Sequence, residues 1–233
     1  MATKPGDRFS LGEDQTMKTE LFFRQPESVR DVEVRLIKPR RCGSPFQQLV
    51  VFQSRKNGNH LRMSPTLLDF CLMLERRRDI RYYQPTPYTL IQPSRAFRYT
   101  PAVCAYGDDL GLVFFETARF MSDGCEDQLV RHEDWFGEMG YLFCPCQPYT
   151  NISYCELLQW RYLYSYSFSF KAQGSSLALD LLKHHNSCTV QELLDAGADF
   201  SDIAYQLFYG GATADLRLPI TRTSAIALTS ARS

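Results

Sequence analysis

Two short stretches carry residue types from which a phosphodiester-cleaving site could be built. One runs Phe97-Arg98-Tyr99-Thr100-Pro101-Ala102; the other ends Phe114-Phe115-Glu116-Thr117-Ala118. Both have the apolar, aromatic content of strands, and Gly107-Asp108-Asp109 between them marks a turn. Metal-dependent hydrolysis at paired strand ends needs an aspartate on one strand, a Glu or Gln on the next, and a lysine two residues further on. Adjacent carboxylates can share one hard cation, and the two-residue spacing puts glutamate and lysine on one face of the strand. Here Ala102 stands where the aspartate would be and Ala118 where the lysine would be; Glu116 alone remains. Asp108 and Asp109 belong to the turn, away from the strand end that carries Glu116.

Other chemistry-bearing groups each admit a plainer reading. Arg55-Lys56 and Arg76-Arg77-Arg78 could contact phosphate, or could mark a turn and a solvated helix end. The aromatic run Tyr162 to Phe170 could stack on bases, or pack as an interdomain element. His184-His185 with Cys188 is half of a metal site without a partner pair at suitable spacing. Cys125, Asp127 and His132 suggest a cysteine-nucleophile set, but no oxyanion turn or helix start surrounds Cys125. The eight cysteines include no Cys-x-x-Cys pair, and Cys144-Pro145-Cys146 is too little for zinc, so buried reduced thiols are expected. No metal site is assigned.

These residues need elements to position them. Val32–Ile37 alternates as a strand, and Gln48–Phe52 is a second strand-like run before the polar loop Ser54–Asn59. Ser64 is an N-cap and Pro65 suits the first helical position of an amphipathic helix that faces inward with Leu67, Leu68, Cys71, Leu72 and Leu74. Tyr88–Ile91 should pair with Arg95–Thr100 across Gln92-Pro93-Ser94. A helix over residues 126–139 points Leu129, Val130, Trp135 or Phe136, and Met139 inward, and Tyr141–Phe143 follows as a short strand. Three further helices are expected at 177–185, 190–196 (opened by the Thr189/Glu192 capping box) and 201–208, before an extended stretch 214–220.

Net charge is zero, with 26 basic and 26 acidic residues, so there is no global pull toward nucleic acid and any contact must be local. No apolar run approaches the roughly 20 residues needed to cross a bilayer, and no secretory leader is visible, so a cytoplasmic protein without membrane contact is expected.

Residues 45–226 resemble TnsA, the endonuclease subunit of heteromeric cut-and-paste transposons. The resemblance is carried by the order and spacing of Ser54-Arg55-Lys56-Asn57, the helix from Ser64, Leu74-Glu75, Gln84 with Thr86-Pro87-Tyr88, Tyr99-Thr100-Pro101 and Phe115-Glu116. Leu157-Leu158, Leu163 to Ser167, Val190 to Leu194, Leu207 to Gly211 and Pro219-Ile220-Thr221 extend it. It implies an α/β fold: a restriction-endonuclease-like PD-(D/E)XK core over residues 31–150, preceded by an arm over 1–30. An aromatic linker (151–170) and a winged-helix-like domain (171–233) would follow. The family's helix glutamate falls at Leu67, its strand aspartate at Ala102 and its lysine at Ala118; Glu116 alone matches. Asp69 lies about 200° round the helix from Leu67 and cannot replace it. The implied partners are transposon-end DNA, contacted through Arg55, Lys56 and Arg76–Arg78, a DDE-type (TnsB-like) transposase and an AAA+ (TnsC-like) ATPase. The expectation is a nuclease-dead binding subunit with no cofactor, Mg²⁺ being needed only if the core were active. The alternatives are an active endonuclease with a displaced or partner-completed site, and a winged-helix DNA-binding regulator.

Overall fold

The structure, a computed structural model, describes residues 32–36, 49–117, 126–146, 152–171 and 175–229. The arm expected over residues 1–30 lies outside the described residues. In chain order the elements are β1 (Glu33–Leu36), β2 (Val50–Ser54), β3 (Asn59–Met63), α1 (Leu68–Arg76), β4 (Tyr82–Pro85), β5 (Tyr88–Gln92) and β6 (Phe97–Tyr99). There follow β7 (Val103–Gly107), β8 (Gly111–Thr117), α2 (Glu126–Glu138), β9 (Leu142–Cys146) and α3 (Tyr154–Ser167). Last come α4 (Leu177–His185), β10 (Ser187–Thr189), α5 (Val190–Asp195), α6 (Phe200–Tyr209), β11 (Ala212–Thr213) and β12 (Ala225–Leu228). The architecture is mixed α/β. The chain forms two compact units, residues 1–41 with 84–145 and residues 42–83 with 146–233. The stretch 31–150 therefore contributes to both.

In the first unit, strand alternation and turn chemistry set the pairing. β5 is the centre of an antiparallel sheet of order β1-β5-β6, in which Leu90 lies opposite both Val34 and Tyr99. The β5–β6 connection is the expected turn, a short 3-10 segment over Pro93–Arg95. β7 and β8 form a tight hairpin from Val103↔Phe115 to Gly107↔Gly111. Gly111 closes it at φ 64, a left-handed conformation that costs other residues their Cβ clearance. The hairpin lies in a sheet of order β4-β7-β8-β9, with β4 the strand in which the chain passes between units. α2 covers the core with Trp135, Phe136 and Met139, and Phe136 stacks on Phe143 at 5.1 Å. The indole N–H of Trp135 donates to Gln92 Oε1 at 2.6 Å, so this buried donor is satisfied. Val130, expected inward, is 56% exposed; the buried stripe runs Leu129, His132, Trp135/Phe136 and Met139, about 100° away.

In the second unit, β2 and β3 pair with Phe52 opposite Leu61, both buried, across a turn at 55–58. Ser64 accepts from Thr66 N, and a 3-10 turn at Pro65–Leu67 leads into α1, which buries Phe70, Cys71, Leu72 and Leu74. Ser153 caps α3, whose Leu157, Trp160, Leu163 and Tyr164 face inward. Tyr164 stacks on Phe52 with centroids 5.1 Å apart and contacts Phe208 of α6. The Thr189/Glu192 capping box opens α5 as its spacing predicts, and Gly210 ends α6 at φ 76. β10, β12 and β11 form an antiparallel sheet with β12 central. The stretch expected to be extended at 214–220 is not a strand: it bends at 216–218, and strands β11 and β12 lie on either side of it in the chain. Pro219 has no N–H for a ladder, and Asp215 Oδ1 accepts from both Arg217 N and Arg217 Nε, which closes the turn locally. Among the described residues no helix is long and apolar enough to cross a membrane.

Candidate functional site

The two stretches singled out in the sequence fall in different sheets: Phe97–Tyr99 is β6, paired with β5, and Glu116 lies in β8, paired with β7. The β7–β8 ladder ends at the pair Val103↔Phe115; Ala102 precedes β7, and Glu116 is the next residue along β8 beyond that pair. Directly opposed residues of an antiparallel pair point to the same face, so a ladder continued by one residue would make a side chain at 102 the cross-strand neighbour of Glu116. The Ala102 carbonyl accepts from Thr86 N at 2.9 Å. Thr86 itself sits at φ 43, an unusual conformation for a β-branched residue. Glu116 is half-buried. Its Oε2 accepts from the Tyr99 hydroxyl and its Oε1 from Thr117 N at 3.0 Å. Burial raises the Glu116 carboxyl above its ordinary value, while these two hydrogen bonds pull the other way. Burial, followed by the neighbouring Glu116 charge, pushes the Tyr99 phenol well above the usual range.

The Tyr99 ring also lies 4.3 Å from that of His132, which packs edge-on to Phe97. His132 Nδ1 is buried without a hydrogen-bond partner among the described residues, and burial holds the imidazole below its ordinary pKa. Sequence reasoning placed His132 with Cys125, which lies outside the described residues. The better signal was its spacing, three and four residues before Trp135 and Phe136 on one helical face.

This donor set does not fit a divalent cation. Such ions take six or more oxygen ligands, commonly from several carboxylates. Glu116 is one carboxylate, hydrogen-bonded at both oxygens. Leu67 is buried in the core of the other unit. Asp69 is engaged in a bidentate pair with Arg161, at 2.7 and 2.6 Å. Asp108 and Asp109 are exposed at the far end of the hairpin. Ala118 lies outside the described residues. Among the described residues no three His, Cys, Asp or Glu side chains gather into a metal-binding group. His184 and His185 are exposed in the last turn of α4. Cys71 and Cys104 are buried free thiols as expected, whereas Cys155 is exposed.

The five basic residues read as phosphate contacts have diverse surroundings. Arg55 donates to the carbonyls of Ser167 (2.5 Å) and Phe170 (2.7 Å), with its guanidinium over the rings of Tyr205 and Phe168. Lys56 Nζ donates to the carbonyls of Leu74 (2.8 Å), Ile80 (2.7 Å) and Arg77, capping the C-terminal end of α1. Burial pulls the Lys56 amine down to about 8, against the opposing pull of Glu75 and Asp79. Arg77 pairs with Asp79, and Arg78 donates to the Gly210 carbonyl. Arg76 stacks over Trp160, its guanidinium carbon 4.6 Å from the ring centroid.

Sequence reasoning missed Glu75. It is fully buried, and its carboxylate accepts from Ser54 Oγ (2.8 Å), Arg55 N (2.9 Å), Lys56 N (3.1 Å), Tyr83 OH (2.6 Å) and Tyr209 OH (3.1 Å). The available signal was its place three and four residues after Leu72 and Cys71, on the apolar face. In the aromatic run, Tyr164 is core, while Tyr162 and Tyr166 are exposed. No family model matches the chain, and no curated protein matches it.

Proposed function

We propose that the chain is a TnsA-like, nuclease-dead subunit of a DNA transposition system that binds DNA and a transposase. The observation that carries this reading is that Ala102 and Glu116 each lie one residue beyond the last β7–β8 pair, Val103↔Phe115. In this reading Ala102 stands at one ligand position of a two-carboxylate site, and the other is Glu116, which accepts from the Tyr99 hydroxyl. Without a second carboxylate, these residues supply no basis for activating water. The order α4-β10-α5-α6-β11-β12, with the last strand central in its sheet, supports a winged-helix reading of the C-terminal region. In this reading the PD-(D/E)XK core is kept for its fold. Partners would be transposon-end DNA, a DDE-type transposase and an AAA+ ATPase, the last reached through the C-terminal region. Loss of first-strand cutting would direct such a system to copy-in products, or leave this chain a scaffold beside an active copy.

The test incubates the purified chain with supercoiled and transposon-end DNA, its cognate transposase, and Mg²⁺ or Mn²⁺. The expected result is no nicking by this chain, with recovery of transposase or ATPase in a pull-down. Nicking that disappears in Glu116→Ala would overturn the nuclease-dead reading.

A further inference from the structure

Arg76 ends α1, and its guanidinium carbon lies 4.6 Å from the Trp160 ring centroid. Its Nη1 is buried with no hydrogen-bond acceptor among the described residues, and the Trp160 indole N–H is likewise buried and unpartnered. Burial lowers the Arg76 pKa, and the carboxylate that acts on it most is Glu156. A guanidinium with five donors, partly withdrawn from water and short of acceptors, is unfavourable on its own and gains by meeting an anion. By contrast, Arg55, Lys56 and Arg78 each donate to backbone carbonyls.

Arg76 lines a cleft of about 240 Å³ within the second unit, whose walls include Glu156, Thr213, Asp215, Leu216 and Arg217. Arg217 is held there by Asp215 in a two-pronged pair at 2.8 and 2.9 Å, so it supplies nearby positive charge without a free fork. The cleft lies beside the 214–220 turn, where the short strands β11 and β12 diverge. Glu156 and Asp215 disfavour a polyanion filling the cleft; a single tetrahedral group seated on the Arg76 fork remains accommodated.

We propose that this cleft is a phosphoryl-oxyanion site anchored by Arg76, stacked on Trp160, with Arg217 as a second, paired charge. The planar fork matches two oxygens of a phosphate, and partial burial strengthens each charge-assisted hydrogen bond. A small free phosphate and a phosphate of a nucleic-acid backbone present the same chemistry to this fork. The site stands independently of any nuclease chemistry at Glu116.

Isothermal titration calorimetry of the full chain with inorganic phosphate, at ionic strength held constant with chloride, tests this. Saturable binding is expected in the wild type, weakened at least about tenfold in Arg76→Met, the order of one lost charge-assisted hydrogen bond. Arg76→Lys keeps the charge and the stem over Trp160 but not the fork, and several-fold weaker binding is expected. It decides the question if circular dichroism shows Arg76→Met unfolded. Adding duplex DNA to the phosphate-saturated protein separates the sources: displacement assigns the site to a nucleic-acid phosphate, and retention assigns it to a small anion. Absence of saturable phosphate binding, or equal affinity in wild type and Arg76→Lys, would overturn the proposal.

Discussion

Glu116 is a half-buried carboxylate whose pKa is raised by burial, and that gives it a measurable signature whether or not any substrate is bound. Its folded pKa lies above the unfolded value of 4.5, so the unfolded chain releases the proton at lower pH. Its contribution to stability is therefore complete below that unfolded value and is lost as pH rises through the folded one. In Glu116→Gln the amide oxygen still accepts from Tyr99 and the titration is gone. Chemical denaturation across pH 4 to 8, a range of about four units around ordinary carboxylate values, should show the variant losing less stability than the wild type. A second expectation tests the register itself. Ala102→Asp sets a carboxylate opposite Glu116, a like-charge pair expected to cost about 0.5–1 kcal/mol in chelator. Mn²⁺ at 100 times its Kd would return about 2.7 kcal/mol. A thermal midpoint that rises with Mn²⁺ in the variant and not in the wild type is the expected outcome. No response in either would mean that positions 102 and 116 do not share a face. Much of this was legible because strand alternation and the tight Gly107–Gly111 turn leave little freedom in the pairing. The role of Tyr99 was not, since a phenol in a strand reads simply as core.

At the scale of elements, Glu75 and Lys56 join the β2–β3 turn to α1. Glu75 takes two turn amides, a turn-flanking serine and two tyrosines, while Lys56 returns from the same turn to the carbonyls at the end of α1. Glu75→Ala removes the acceptor of two buried and three part-buried donors, which should cost at least about 1–3 kcal/mol in urea denaturation. Lys56→Met keeps the aliphatic stem and loses the carbonyl contacts, for an expected loss of about 1–3 kcal/mol. If both variants were within 0.5 kcal/mol of wild type, roughly the scatter of surface substitutions, the turn would not be held in this way. The sequence displayed the helices opened at Ser64 and Thr189 because their capping chemistry is local; the Ser153 cap of α3 was not read from it. It concealed β3, whose Leu61 and Met63 alternate inward but follow a polar turn that reads as loop. It also concealed what Arg55 does: its acceptors, the Ser167 and Phe170 carbonyls, are more than 100 residues away and have no side-chain identity to read.

At the scale of the whole molecule, the charge balance restricts how DNA would be held. With 26 basic and 26 acidic residues the long-range field is weak, so affinity for a polyanion must come from a few local contacts. Arg55 and Lys56 are committed to backbone carbonyls and Arg77 to Asp79, which leaves exposed cations near the 214–224 turn, such as Arg222, as the better-placed candidates. Two or three phosphate contacts correspond to a slope of about −2 to −3 in log K against log salt concentration, or about a 10- to 50-fold loss between 50 and 200 mM. Fluorescence anisotropy with a labelled duplex measures that slope directly. Arg222→Ala should make it shallower by about one, while Arg55→Ala should change stability and leave the slope unmoved. A slope of about −6 or steeper would require six or more neutralised phosphates. It would mean that DNA is held by a broad basic surface rather than by a few cations around one turn.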